Sequence, residues 1–397
     1  MAVNHRTNSL IEKVARLAGV APEAVCVVRS PYRACPLGAH VDHQLGEVTG
    51  MALDRAILFA FVPRPEPSVH VESNIFPGSI ELNLPAVPPS PPGDWGDYLR
   101  GAVHALKSKY DLKHGLIGIV DGYEKVGGLS SSAAVGVAYL MALEKVNDLP
   151  VTDRENIELD RMIENEYIGL NNGLLDQSTI LLSRKGRLMY LDCASGETEL
   201  YSCEQADDLR IVVLYSGLEN QLCDTDYNRR VAECEEAARL LLEKSATSGE
   251  EPKLRSVPRP VFERHEKDLP DPLARRARHF FSEQRRVRRG IEVWQNGDLD
   301  TFGRLVTESG QSSVENYECG NRYLRGGWKA LVETPRILGA RFSGAGFRGC
   351  SIGLLNGEPP EEMAGEILDR YLQQHPDMGG KAEVYYCRPD DGARFVT

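Results

Sequence analysis

Apolar residues recur at Leu10, Ile11, Val14 and Leu17, a helical spacing that predicts a short helix over residues 8–20, stopped by Gly19. Continuous apolar runs at 25–28, 56–62 and 69–72 predict strands, so the first third is sheet-rich. A proline-heavy stretch, 85–92, reads as an exposed connection, followed by a helix at 97–109 and a strand at 117–120. Residues 125–134 then form a loop that opens a helix over 135–144. Helix continues at 157–165. Beyond it, strands are expected at 179–182 and 188–192, on either side of a turn at Arg184-Lys185-Gly186. In the second half the pattern predicts a strand at 209–215, a charged helix at 227–244, a polar loop at 245–260 and a helix at 273–294. A glycine-rich turn leads into a last apolar strand, 350–355, that ends in a hairpin-type turn at Asn356-Gly357.

At 397 residues the chain is too long for one ordinary core, and two domains are expected, 1–185 and 186–397. Its formal charge of -12 argues against nucleic-acid or membrane-surface partners, because like charges repel at long range. Seven arginines between Arg275 and Arg289 do not change that reading, since a solvated helix face lying over acidic neighbours accounts for them. Nine cysteines without a Cys-x-x-Cys suggest neither a zinc site nor a disulfide framework. With no leader pattern and no run of 18 apolar residues, a cytoplasmic, reducing setting is expected.

The candidate chemistry begins at Gly127-Gly128-Leu129-Ser130-Ser131-Ser132-Ala133. Glycines admit close approach of a ligand to the backbone, and the first turn of the following helix has unpaired N–H groups facing outward. Oriented N–H groups and the positive end of a helix dipole favour phosphate. A serine-rich cap on a buried helix is the plainer alternative. Gly344 to Gly349 form a formal G-x-G-x-x-G, but residues 350–355 are strand-like, so a dinucleotide fingerprint fails on context and a backbone-to-backbone or ligand contact is left. No P-loop lysine, protein-kinase motif or Gly-x-Ser-x-Gly elbow occurs. Arg33 and Asp176 have the right chemistry for phosphoryl transfer, a carboxylate to take the hydroxyl proton and a guanidinium to offset charge, although an ordinary ion pair would look the same.

Three blocks, around 31–43, 127–134 and 339–355, together resemble the GHMP kinases. Trp95-Gly96-Asp97-Tyr98, Asn172-Gly173-Leu174-Leu175-Asp176-Gln177 and the run from Tyr227 resemble the galactokinase branch, and the stretches 35–44, 130–144 and 339–350 resemble its plant-type galacturonokinases. The resemblance implies an α+β fold, with an N-terminal domain like ribosomal protein S5 domain 2 and a ferredoxin-like C-terminal domain. It implies Asp176 as catalytic carboxylate and Arg33 beside the anomeric hydroxyl. Ser132 and Glu164 match the magnesium positions, Trp95 the aromatic near the adenine of ATP, and Ala39, His40, Asp42, Asn172, Gly173 and Tyr227 the sugar site. Where galactokinases carry a glutamate that meets the C6 hydroxyl, this sequence has Ala39. A glutamate facing a C6 carboxylate would be two like charges in a partly dry pocket, so alanine points to D-galacturonate as acceptor. Galactose, arabinose or glucuronate kinases and a catalytically silent sugar sensor are the alternatives. His43 and Arg348 are candidate partners for the carboxylate.

Overall fold

In the computed structural model, residues 2–89, 91–123, 127–218, 225–245, 250–346 and 349–397 are described. The fold is α+β and holds two sheets among these residues. Helix α1 (Ala2–Ala18) leads into β1 (Cys26–Ala34) and β2 (Glu47–Arg64), then β3 (Ser68–Ser73), β4 (Ser79–Asn83), α2 (Asp97–Lys107) and β5 (Gly115–Asp121). Helices α3 (Ser131–Asn147), α4 (Asp153–Met162) and α5 (Leu175–Leu182) precede the β6 (Arg187–Asp192) and β7 (Glu197–Ser202) hairpin. The remaining elements are β8 (Leu209–Tyr215), α6 (Thr225–Leu242), α7 (Arg259–His265), α8 (Asp271–Gln295), α9 (Leu299–Glu315) and α10 (Arg322–Val332). After them come β9 (Ile337–Phe342), β10 (Cys350–Asn356), α11 (Met363–Gln374), β11 (Glu383–Cys387), β12 (Pro389–Asp390) and β13 (Arg394–Phe395).

The long strand β2 is the spine of the first sheet, pairing antiparallel with β1, β5, β6 and β12. The second sheet runs β11-β8-β10-β9. Because β6 pairs with β2 and β13 with β1, the first sheet takes strands from both sides of the boundary expected at 185/186, those after it coming from 187–202 and 389–395. Helix α3 is buried almost all round, from Ala133 to Leu143, as its uniformly small and apolar sequence requires.

Four expectations are corrected. The strand β1 does not stop at Val28 but runs on through Arg33, absorbing Pro31 at a register shift, where its missing N–H costs no ladder bond. Residues 179–182 are helical. Their short apolar run with β-branched Thr179 and Ile180 fits either state, and the Thr179 hydroxyl donates to Leu175 O at 2.7 Å along the helix. Asn356-Gly357 ends β10, but the chain proceeds to α11 rather than turning back in a hairpin. The arginine run on α8 is not simply a solvated face. Arg276 is fully buried between Glu233 and Glu318, and Arg288 grips the buried Glu47 through two nitrogens at 2.8 Å.

Candidate active site

Arg33 leaves the rigid strand β1 and Asp176 stands in the first turn of α5, where the helix dipole favours a carboxylate. They meet: Arg33 Nε donates to Asp176 Oδ1 at 2.6 Å, with Arg33 only 3% exposed. Asp176 keeps one side open, and its second oxygen accepts from the hydroxyl of Ser130. Ser130 sits in the left-handed region at φ 55, an uncommon conformation for a residue with a Cβ, so the turn into α3 is held by its surroundings.

Those surroundings are mostly backbone. Arg33 N donates to Leu129 O at 3.2 Å and Arg33 Nη1 to Gly128 O at 3.2 Å. The glycine-rich turn between β9 and β10 presses on the loop: a Cβ on Gly349 would lie 2.2 Å from Gly127 O, and one on Gly344 3.0 Å from Gly128 Cα. Thus Gly344 and Gly349 serve backbone contact. Lys125 and Val126 of the loop and Phe347 and Arg348 of the turn lie outside the described residues. Leu129 and Ala133 are buried, whereas Gly127, Gly128, Ser131 and Ser132 are half-buried around the open end of α3. Trp95 precedes α2 and stacks on Phe76 at 6.3 Å.

Glu164 belongs to a six-residue π-helix, Ile163–Ile168, that follows α4. Such a bulge re-aims side chains, and here Asn172 Nδ2 donates to Glu164 Oε2 at 2.7 Å while Asn165 and Asn172 exchange bonds across the turn. Burial, then the charge of Asp176, pushes Glu164 up to about 7, against hydrogen bonds from Asn172 and Ser132. Glu164 Oε1 is buried with no partner among the described residues. An orphaned carboxylate oxygen beside a serine hydroxyl fits Mg²⁺, which takes few protein oxygens and completes its shell from phosphates and water. Asp160, one turn earlier, is wholly buried with both oxygens unpartnered, and a Cβ at Gly136 would come within 2.2 Å of it. Nothing in its sequence context marked it.

The third group is the loop after β1. Asp42 packs against Gly173, where a Cβ would lie 2.5 Å from Asp42 Oδ2, and burial followed by the Asp176 charge raises Asp42 to about 6. Tyr227 joins from α6, its ring edge-on to His43 with the centroids 6.1 Å apart. Burial, then Asp42 and Asp176, raises the Tyr227 hydroxyl. His40 stacks on Tyr317 at 4.3 Å. His43 is not the expected cation, because burial, then Lys253, pushes it down to about 3, leaving it neutral. Sequence reasoning missed Ser343, whose hydroxyl lies 3.4 Å from Arg33 Nη1, and Tyr317, His279 and Glu283, which carry no local motif.

The family model for the GHMP kinases N terminal domain matches residues 97–184. A galacturonokinase of Arabidopsis thaliana is 45% identical, the alignment covering 98% of each chain. A galactokinase of Roseiflexus sp. (strain RS-1) is 30% identical over 98% of this chain and 97% of its own. Among solved structures, Lactococcus lactis galactokinase complexed with galactose superposes with a TM-score of 0.88 at 27% identity, covering 97% of this chain and 98% of that one. With this similarity along almost its whole length, the chain belongs to the GHMP kinase family, on its galactokinase branch.

Proposed function

We propose that this protein transfers the terminal phosphoryl group of ATP to the C1 hydroxyl of D-galacturonate, giving D-galacturonate 1-phosphate. The observation that carries the reading is Asp176, held between Arg33 and Ser130 where the phosphate loop enters α3. The C1 oxygen attacks the γ-phosphorus, the bond to the bridging oxygen of ADP breaks, and the hydroxyl proton passes to Asp176. Arg33 holds Asp176 in place through its Nε–H and offsets charge on the transferring group. Backbone N–H groups of 127–133 hold the phosphates, Trp95 lies against the base, and His40, Asp42, Asn172, Gly173 and Tyr227 orient the sugar. Ser132 and Glu164 would hold Mg²⁺, which supplies charge neutralisation on the phosphates.

The choice of sugar is supported by Ala39 and by the 45% identical galacturonokinase. ADP release measured with galacturonate, galactose, arabinose and glucuronate should give the highest kcat/KM with galacturonate. A higher value with another sugar would reassign the substrate, and no turnover above background with any sugar would remove the kinase reading.

A further inference from the structure

The backbone around Ala39 is tied back to α8, 240 positions further along the chain at the point of contact. His279 of α8 shares a hydrogen bond of 2.9 Å with Ala39 O through Nε2, and one of 3.0 Å with Ser312 Oγ through Nδ1. A carbonyl oxygen only accepts, so Nε2 carries the proton and Nδ1 accepts from the Ser312 hydroxyl. The ring is 1% exposed and neutral, with both nitrogens used. One helical turn on, Glu283 Oε1 accepts from Gly38 N at 2.8 Å. These two contacts fix the turn at 38–40, in which His40 sits at φ 60.

In a trans peptide the C=O and N–H point in opposite directions, and no cis bond occurs among the described residues. With Ala39 C=O pulled towards α8, the N–H of His40 therefore points away from α8. Among the described residues no backbone oxygen accepts from it. The side chain at 39 is a methyl group, which adds no acceptor beside that donor. Among the described residues beside this turn, His40, His43 and His279 are held neutral by burial, and Arg341 is committed to Ser309, Phe342 O and Glu283; Arg348 lies outside the described residues.

We infer that the peptide joining Ala39 and His40 is the recognition element for the C6 carboxylate, with His279 as the residue that aims its N–H; this rests on the galacturonate reading above. A neutral amide donor bonds more strongly to a carboxylate than to a hydroxyl. The arrangement thus favours the uronic acid over galactose through a charge-assisted bond.

The test uses the full-length chain with His279→Ala, which frees the carbonyl, and His279→Gln, which restores an N–H donor. Loss of one aimed bond to a charged group should raise KM for galacturonate roughly tenfold or more in His279→Ala, with KM for galactose rising less than about threefold and kcat and KM for ATP changing by less than that. His279→Gln should recover most of the loss. Equal changes for the two sugars, or an unchanged galacturonate KM, would overturn the assignment. If His279→Ala shows no cooperative unfolding transition, Ser312→Ala replaces it: a selective rise in galacturonate KM supports the aiming role and no change overturns it. A wild-type enzyme that prefers galactose defeats the substrate reading itself, and the wild-type arm shows this before any variant is compared.

Discussion

The loop at 127–132 is shaped chiefly by backbone packed on backbone, whereas the loop at 35–46 is shaped by side chains that reach it from α8, 240 positions away in the case of His279. Both serve Asp176. In the proposed function the first handles phosphate, the part of the substrate common to every kinase, which needs only N–H groups, glycines and a helix start. The second is the one proposed to take the sugar, and its turn at Gly38, Ala39 and His40, with a left-handed histidine, is tied to Glu283 and His279 behind it. General recognition can be written locally; particular recognition draws on distant elements.

Three experiments bear on this contrast. The largest effect is expected where the loops meet: Asp176→Asn should lower kcat by about 10²–10⁴-fold while calorimetric sugar affinity stays near wild type, and an unchanged kcat would take the proton-accepting role away from Asp176. Next, Gly349→Ala places a Cβ 2.2 Å from Gly127 O at a residue with φ 97, so it should cost about 1–3 kcal/mol in thermal or urea unfolding and raise KM for ATP with little change in KM for the sugar. A rise confined to the sugar would show that the two loops are not separately built.

The smallest effect is in pH dependence and concerns only the sugar side. His279 takes a proton near 6.5 when unfolded, but burial holds it down to about 4 in the folded protein. Between those values the unfolded chain binds more protons, so stability falls as pH is lowered. Asp42, raised to about 6 by burial, works in the opposite sense, so the total slope is a poor guide and a variant is needed. Unfolding of His279→Gln should lose about 1 kcal/mol less than wild type over the single unit from pH 6.5 to 5.5. Parallel slopes would mean that His279 is not held neutral.

Much of the phosphate side was legible from sequence because its devices are contiguous: Gly127 to Ala133 and the small, apolar α3 identify a loop and a buried helix without any partner. The strand carrying Arg33 and the helix carrying Asp176 were less so. Pro31 disguised the one, and a short run of Thr179, Ile180, Leu181 and Leu182 disguised the other, since a strand and a buried helix of that length share the same pattern. In the sequence His279 and Glu283 are only members of the helix predicted at 273–294. Their spacing of four places both on one face, but nothing local says what that face covers.

The amino-acid order by itself determined the loop that opens α3, the apolar elements and the presence of one arginine and one aspartate able to serve a phosphoryl transfer, because each depends on neighbours in the chain. Only the tertiary structure decided that Arg33, Ser130 and Asp176 converge, that Glu164 Oε1 is left without a partner among the described residues, and that Ala39 is tied back to α8. Those outcomes turn on burial and on hydrogen bonds between residues far apart in sequence, and desolvation becomes defined only when the elements have packed.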